Sequence, residues 1–369
     1  MVVSALAIAN PAGAEQFTTE KVDIEVTPVV SGLNEPWAIE VLPDGAYIVT
    51  EKGGGVRIVR DGKISDAIMG LPEVAVLGQG GLLDLALSPD FANDRTLFFT
   101  ASLPMEGGAG TGVIRARLAK DERRLEDVTV IFQMNKGSSR GQHFGSRIAF
   151  GTDGSLYFSI GDRGDMKRAQ DPGDHAASIL RIDTDGSVPP DNPFAKDAKT
   201  LPEIYSKGHR NAQGLVIDPL TGGLLTVEHG AKGGDEVNLP KAGKNYGWPV
   251  ISYGVNYNGN RIGKGTKADG FEQPVHYWDP SIAPGAVIVY RGDMFPEWRD
   301  DLLVTSLKFG LISRLDRDAD GAISGEERFL DGEFGRLRDI VTAPDGSILV
   351  VTDESDGQLL RITRARGPS

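Results

Sequence analysis

The stretch "SRIAFGTDGSLYFSIGDRGD", Ser146 to Asp165, holds a short apolar run, a turn built on Asp153 and Gly154, and a second apolar run. Runs of about five β-branched or aromatic residues suit strands. Asp-Gly supplies the positive φ that a tight hairpin requires. Asp-Gly returns at Asp44 and Asp345. The same strand–turn–strand spelling recurs outward in both directions. "PWAIEVLPDGAYIVTEKGGGVRIVRDGK" begins at Pro36 and "LDLALSPDFANDRTLFFTASL" at Leu83. "AQGLVIDPLTGGLLTVEHG" begins at Ala212, and "GAVIVYRGDMFPEWRDDLLVTSLKFGLISRLDRDADG" at Gly285. "RDIVTAPDGSILVVTDESDGQLLRITR" begins at Arg338. Several copies add a third strand ending in a basic residue, as in "VRIVR" and "LLRITR".

Sustained helical periodicity is scarce, so helices should be few and short. A four-stranded unit cannot bury both faces alone, and stacking copies around an axis solves this. These copies predict an all-β fold, a six-bladed β-propeller with four-stranded antiparallel blades. A pair of stacked β-sandwiches is the rival, against which recurrence of one pattern argues. "KVDIEVTPVV", from Lys21, precedes the first copy and could pair with the last blade to close the ring. Residues 15–369 are read as one propeller domain.

The chain has 369 residues, of which 40% are hydrophobic, enough for a real core. Its 48 glycines and 21 prolines suit many tight turns. The formal net charge of −13 repels phosphate backbones and anionic lipid, so nucleic acid is not an expected partner. There is no cysteine, which excludes disulfides and thiolate metal sites. "VVSALAIANPAGAEQF" has an apolar run and then Ala-Gly-Ala before Glu15. Residues 1–14 therefore read as a signal-peptide remnant with cleavage after Ala14, or as a disordered tail, and the first reading implies a periplasmic or secreted protein. No later stretch reaches the ~18 apolar residues of a membrane span.

A propeller gathers loops from all blades around one channel mouth. Polar residues beside glycine in such loops are the candidate site. They are Gln79 in "GQGGLLDL", His143 in "GQHFG", Arg210 and Asn211 in "GHRNAQG", and Tyr257 in "YGVNYNG". Lys308 lies in "SLKFG", with Phe309 and Gly310, and Arg336 and Arg338 lie in "GRLRD". "EHGAKGGDEVN" follows from Glu228 and "GKNYGWP" from Gly243. From the residues alone, His143 is either a packed structural imidazole or a reactive group.

The series "GQGG", "HFG", "GHRNAQGL", "EHGAKGGDEVN", "KNYGWP", "SLKFG" and "RLRD", in this order, resembles the soluble PQQ-dependent sugar dehydrogenases, and more closely their aldose sugar dehydrogenase branch. The resemblance covers nearly the whole chain after residue 14 and implies a six-bladed propeller. It implies oxidation of an aldose to a lactone, with electrons passed to a separate acceptor. It makes His143 the general base for the anomeric hydroxyl and Arg210 the cation that stabilises the reduced quinone oxygen. Gln79 and Asn211 would position base and cofactor, and Tyr257 would contact the cofactor or wall the sugar site. PQQ is a flat tricarboxylate. Arg210, Lys308, Arg336 and Arg338, with Phe309 and Gly310 in the same loop, would form its cationic cradle. Arg336 and Arg338 stand two apart on an expected strand, so both can face one side. Glucose-oxidising relatives carry an acid before the base, where this chain has Gln142.

The family also uses Ca²⁺. By resemblance one ion takes the carbonyls of Gly230 and Ala231, and a structural ion takes Glu236 and a carbonyl at Tyr246. Independently, "DRDADGAISGEE" matches a calcium-loop spelling with Asp316, Asp318, Asp320 and Glu327 as ligands, though its flanks read as strands. Two other functions fit a six-bladed propeller. One is a lactone hydrolase with a metal-bound water, and the other is a non-catalytic sugar-binding propeller.

Overall fold

The structure, a computed structural model, describes residues 13–365. It contains strands β1 (Glu15–Phe17) and β2 (Ile24–Leu33), and then six sheets around an axis. Blade 1 is β3 (Pro36–Val41), β4 (Tyr47–Glu51), β5 (Gly55–Arg60) and β6 (Lys63–Ile64). Blade 2 is β7 (Leu82–Leu87), β8 (Thr96–Met105), β9 (Gly108–Leu118) and β10 (Leu125–Gln133). Blade 3 is β11 (Ile148–Phe150), β12 (Leu156–Ile160), β13 (Ser178–Ile182) and β14 (Ile204–Lys207). Blade 4 is β15 (Ala212–Ile217), β16 (Leu224–Glu228), β17 (Asp235–Asn238) and β18 (His276–Trp278). Blade 5 is β19 (Pro284–Val289), β20 (Leu302–Ser306), β21 (Ile312–Arg317) and β22 (Ile323–Phe329). Blade 6 is β23 (Leu337–Thr342), β24 (Ile348–Thr352) and β25 (Gly357–Arg364), completed by β2.

Each blade's first strand is innermost, and the six first strands touch in a closed ring, β3–β7–β11–β15–β19–β23 and back to β3. The expected closure is present. β2 runs antiparallel to β25 from Ile24 opposite Arg364 to Leu33 opposite Gly357. The sixth blade departs from the four-stranded expectation, because β1 adds a fifth strand outside β2. The expected signal segment falls mostly on residues 1–12, which lie outside the described residues. Among the described residues, the helices are short turns and none is long and apolar enough to cross a membrane.

The blades are held by apolar clusters, one for each neighbouring pair. Leu225, Val227 and Val237 of blade 4 meet Val287, Leu302 and Val304 of blade 5, for example. Fully burying one such side chain is worth roughly 1.5–3 kcal/mol. The second strands are buried on both faces, which is why "LYFSI" and "ILVVT" read as continuous apolar runs. Their Ser and Thr residues have a specific task. Five of the innermost strands begin with a β-bulge met by such a hydroxyl or by its counterpart in the preceding blade; in blade 1, Ala38 N–H donates to Thr50 Oγ1 at 3.1 Å beside the bulge. The same hydroxyl donates onward to the Leu83 carbonyl of the next blade at 2.6 Å. Thr100 and Ser159 repeat this staple between blades 2 and 3 and blades 3 and 4.

At the axis, buried Arg147 reaches all six blades. It donates to Asp84 (2.9 Å), Asp339 (2.8 Å) and the carbonyls of Gln213 (2.9 Å) and Gly285 (3.1 Å), and lies 4.4 Å from the Trp37 ring centroid.

Antiparallel order divides the connections between two ends. At one end lie the turns between strands one and two and between strands three and four. At the other lie the entries into each first strand and the links between strands two and three. The exception is the long link 239–275, nominally a strand-three-to-four connection. It climbs beside β14, with Asn245 bridged in parallel to Lys207, and reaches the opposite end, where Val255 bridges Lys232.

Candidate functional site

Every candidate cofactor residue comes from the loop-bearing end, where the first strands are entered or strands two and three are joined, or from the climbing link. A cavity of about 920 Å³ opens there. Gln79, Ala231, Tyr257, Lys308, Arg336 and Arg338 all line it, so separate loops bring three of the four expected cations to one place. His143 stands at its edge, followed by Phe144 and Gly145, which line it. Arg210 and Asn211 are not in its wall. Asn211 is buried and Arg210 lines a smaller neighbouring void.

His143 is held in an unusual conformation. Its φ is +52° and that of Gly145 is +63°. Left-handed backbone at a non-glycine residue persists only where the surroundings over-determine it. Here they do. His143 N–H donates to Gln79 Oε1 (2.8 Å), Gly145 N–H donates to Asn211 Oδ1 (3.0 Å), and Gln213 Nε2 donates to the Gly145 carbonyl (3.0 Å). Gly161 passes so close that a Cβ there would collide with the His143 carbonyl.

The imidazole has a partner that sequence reasoning missed. His143 Nδ1 lies 2.6 Å from Asp162 Oδ1. Asp162 is itself fixed, accepting from Gly164 N–H (2.8 Å) and from Trp248 Nε1 (2.9 Å). Burial raises the Asp162 carboxyl, but hydrogen bonding and charge from His143, then Arg210, bring it below the usual carboxylate value. An ionised Asp162 accepts from Nδ1–H, which selects the tautomer with a bare Nε2. Burial lowers the His143 pKa below its ordinary value, Arg210 and Arg163 push the same way, and Asp162 opposes them. The imidazole is therefore neutral at pH 7. Nε2 has no partner among the described residues, and the side chain is 14% exposed. Gln142 is exposed, and the carboxylate that touches the imidazole is that of Asp162.

Arg336 and Arg338 do face one side, and both bond Asp353 Oδ2, at 3.0 and 2.6 Å. Burial pushes Asp353 up, but the two guanidiniums outweigh it and hold the carboxyl at about 2. Arg338 also donates to Gln213 Oε1 (3.0 Å), and its buried Nε has no partner. Lys308 Nζ donates to the Ser281 carbonyl at 3.0 Å. Phe309 packs into the cluster between blades 4 and 5, and Gly310 (φ +63°) abuts the Gly335 carbonyl too closely for a Cβ. Tyr257 is 75% exposed at the rim. Asp162 and Asp353 both follow a second strand, in "SIGDRG" and "VVTDES", so their place in the repeat was the available signal.

Arg210 packs 5.3 Å from the Trp248 ring centroid. Its Nη1 donates to the carbonyls of His229 (3.2 Å) and Gly230, while its buried Nε has no partner. Of the two carbonyls expected to hold a calcium ion, that of Gly230 accepts from this guanidinium, and Ala231 lines the cavity. The second expected calcium position is different. Glu236 and Tyr246 line a void of about 20 Å³ together with Glu228. Burial, reinforced by Glu228, pushes the Glu236 carboxyl up to about 8. The buried Asn238 Oδ1 beside them has no partner. Glu228, Glu236 and Asn238 Oδ1 make an oxygen-rich set of the kind a hard cation takes, with Arg210 lining the same void.

The calcium-loop spelling at Asp316 to Glu327 is corrected. It forms the β21–β22 hairpin at the turn-bearing end. Asp316 and Glu327 both pair with buried Arg314, at 2.6 and 2.8 Å, and Asp318 accepts from the Asp320 and Ala322 N–H groups of its own turn. Two of the carboxylates are neutralised by a guanidinium and Asp318 builds the turn. Among the described residues, no three His, Asp or Glu side chains converge as a metal cluster.

With the geometry in place, comparison with known proteins is direct. A family profile described as "Glucose / Sorbosone dehydrogenase" matches residues 33–361. The chain belongs to the glucose/sorbosone dehydrogenase family. Within it, the chain is 38% identical to the aldose sugar dehydrogenase YliI of Escherichia coli over 92% of this chain and 93% of that one. The crystal structure of the soluble aldose sugar dehydrogenase from Escherichia coli in the apo-form superposes with a TM-score of 0.90 at 38% identity, covering 93% of this chain and all of that one (100%). The PQQ-bound form of aldose sugar dehydrogenase from Streptomyces coelicolor gives a TM-score of 0.76 at 28% identity, covering 96% and 99%. This family member thus shares its architecture with proteins described as sugar dehydrogenases along nearly its full described length.

Proposed function

We propose that the chain is a PQQ-dependent dehydrogenase that oxidises aldose sugars at C1 to lactones and passes the electrons to a separate acceptor. The observation that carries this reading is the meeting of Lys308, Arg336 and Arg338 on one cavity beside an imidazole with a free Nε2. When bound, PQQ supplies an electrophilic quinone carbonyl able to take hydride. Lys308, Arg336 and Arg338 would hold its carboxylates, and the unpartnered Arg338 Nε is a donor suited to that task. Arg210 would stabilise negative charge developing on the cofactor, with its own unpartnered Nε.

His143 Nε2 accepts the anomeric hydroxyl proton as the C1–H bond breaks, and Asp162 stabilises the imidazolium that results. Gln79 and Asn211 keep the base in place through the main-chain N–H groups of His143 and Gly145. Tyr257 walls the sugar side. Ca²⁺ is assigned to Glu236 and the Tyr246 carbonyl, where it would offset the adjoining acids, and no step passes through it. Export to the periplasm or beyond is part of the proposal, supported by the apolar run and Ala-Gly-Ala before Glu15.

A lactone hydrolase would need a converged set of metal-ligating side chains, and a silent binding propeller would not need the His143–Asp162 pair. Reconstitution tests the reading. The apoprotein with PQQ and Ca²⁺ should reduce an artificial dye when an aldose is added, and should fail without PQQ. Absence of dye reduction with several aldoses would overturn it.

A further inference from the structure

Arg163 follows Asp162 and has 0% exposure, yet no carboxylate forms an ion pair with it among the described residues. An unpaired buried guanidinium is costly, so its contacts call for a reason. They converge on the loop that carries His143. Nη1 donates to the Gln142 carbonyl and Nη2 to the Arg140 carbonyl at 3.2 Å. The guanidinium carbon lies 3.3 Å from the centroid of Phe144, the ring that follows His143 and lines the cavity. Arg163 N–H reaches the His143 carbonyl at 3.3 Å. One residue thus grips positions 140, 142, 143 and 144, across the left-handed kink at His143.

We propose that Arg163 is a positioning residue for the base: its planar fork clamps the loop that carries His143. This rests on the reading of His143 as the base. Burial lowers the Arg163 pKa to about 9, so it remains a cation at neutral pH. The charged or titratable groups facing His143 are Asp162, Arg210, Arg163 and His229. Only Asp162 favours the imidazolium. The imidazole needs to be neutral to act, and burial first, then Arg210 and Arg163, oppose the pull of Asp162. No other group in the set both touches the loop backbone and carries this charge.

The test uses Arg163→Gln and Arg163→Lys, with two readouts. The first is the His143 titration followed by NMR in the apoprotein, identified by its loss in His143→Asn. Losing the cation makes the imidazolium less unfavourable, so the His143 pKa should rise in Arg163→Gln and stay near wild type in Arg163→Lys. The second is the pH profile of kcat after reconstitution. Both variants should lose about tenfold or more in kcat, the scale of a lost charge-assisted hydrogen bond, with KM little changed. Only Arg163→Gln should move the acid limb to higher pH. A wild-type titration and a wild-type kcat in Arg163→Gln would overturn the proposal. If that variant does not fold, wild-type kcat in Arg163→Lys, which keeps the charge but not the fork, overturns the clamp. An inactive wild-type enzyme would instead sink the base reading, because the imidazole titration is measured without cofactor.

Discussion

At the turn-bearing end, Asp44, Asp153 and Asp345 each accept a hydrogen bond from the backbone N–H two residues on. Each also pairs with an arginine of the third strand in the same blade: Arg60, Arg181 and Arg361. At the loop-bearing end some partners lie in one blade, as His143 and Asp162 do, and others lie in different blades. Gln79 of the blade 2 entry holds His143 of the blade 3 entry, and Gln213 of blade 4 holds Arg338 of blade 6. Polar groups at the first end pair within their own blade in blades 1, 3 and 6, although Arg361 keeps a buried Nε without a partner. Those at the second leave Nε2 of His143 and the buried Nε atoms of Arg210 and Arg338 without partners. The contrast separates scaffold from site: the turn-end Asp–Arg pairs stay within one blade, whereas the cavity end also joins residues of different blades.

Substitutions at the two ends should therefore fail in different ways. His143→Ala should cost roughly 10²–10⁴ in kcat, with PQQ binding retained. Steady-state turnover beside a PQQ titration measures this, and full turnover would erase the distinction between the ends. Asp162→Asn should cost on the order of 10² in kcat, since the tautomer and orientation of the imidazole are no longer fixed. Its pH behaviour has a definite sign. Asp162 raises the His143 pKa against burial, so its loss lowers that pKa further, and the acid limb of kcat should move to lower pH. This is opposite to the shift expected for Arg163→Gln.

At the turn-bearing end the effects should be smaller and structural. Gly154 has φ +81° with open space where a Cβ would stand, so Gly154→Ala carries only backbone strain. It should cost about 1–2 kcal/mol in stability, read as a lowered Tm with unchanged kcat/KM. Asp318→Ala should have the least effect. Calorimetric Ca²⁺ stoichiometry should match wild type, and a lost equivalent would restore the calcium-loop reading of that hairpin.

The same contrast explains how much was legible in the sequence. The copies mark the innermost strands because the turns after them are local, in three copies an Asp-Gly paired with an arginine. The basic residues ending "VRIVR" and "LLRITR" are the partners of Asp44 and Asp345. The Asp153–Gly154 turn closes a three-residue loop, with Gly151 N–H on the Ser155 carbonyl at 2.9 Å. Only the glycine takes positive φ, and the Gly154 N–H closes on the Gly151 carbonyl at 3.0 Å. The cations of the cavity were legible through resemblance and their place before or after strands. Asp162, Trp248 and Asp353 were not assigned, because their roles depend on which loops meet in space. Trp248 reaches Asp162 only because the 239–275 link climbs the flank of blade 3. Arg147 looked like an ordinary strand residue, yet it ties the axis together through partners as distant as Asp339.

The most direct measurement is PQQ binding to the apoprotein by titration calorimetry, for wild type, the combined Lys308→Ala, Arg336→Ala and Arg338→Ala variant, and a combined Asp316→Ala and Asp318→Ala variant of the opposite end. The account expects one PQQ per wild-type chain, no measurable binding when the three cations are removed, and wild-type binding when only the far hairpin is changed. A three-cation variant that stays folded and binds PQQ as tightly as wild type would contradict it.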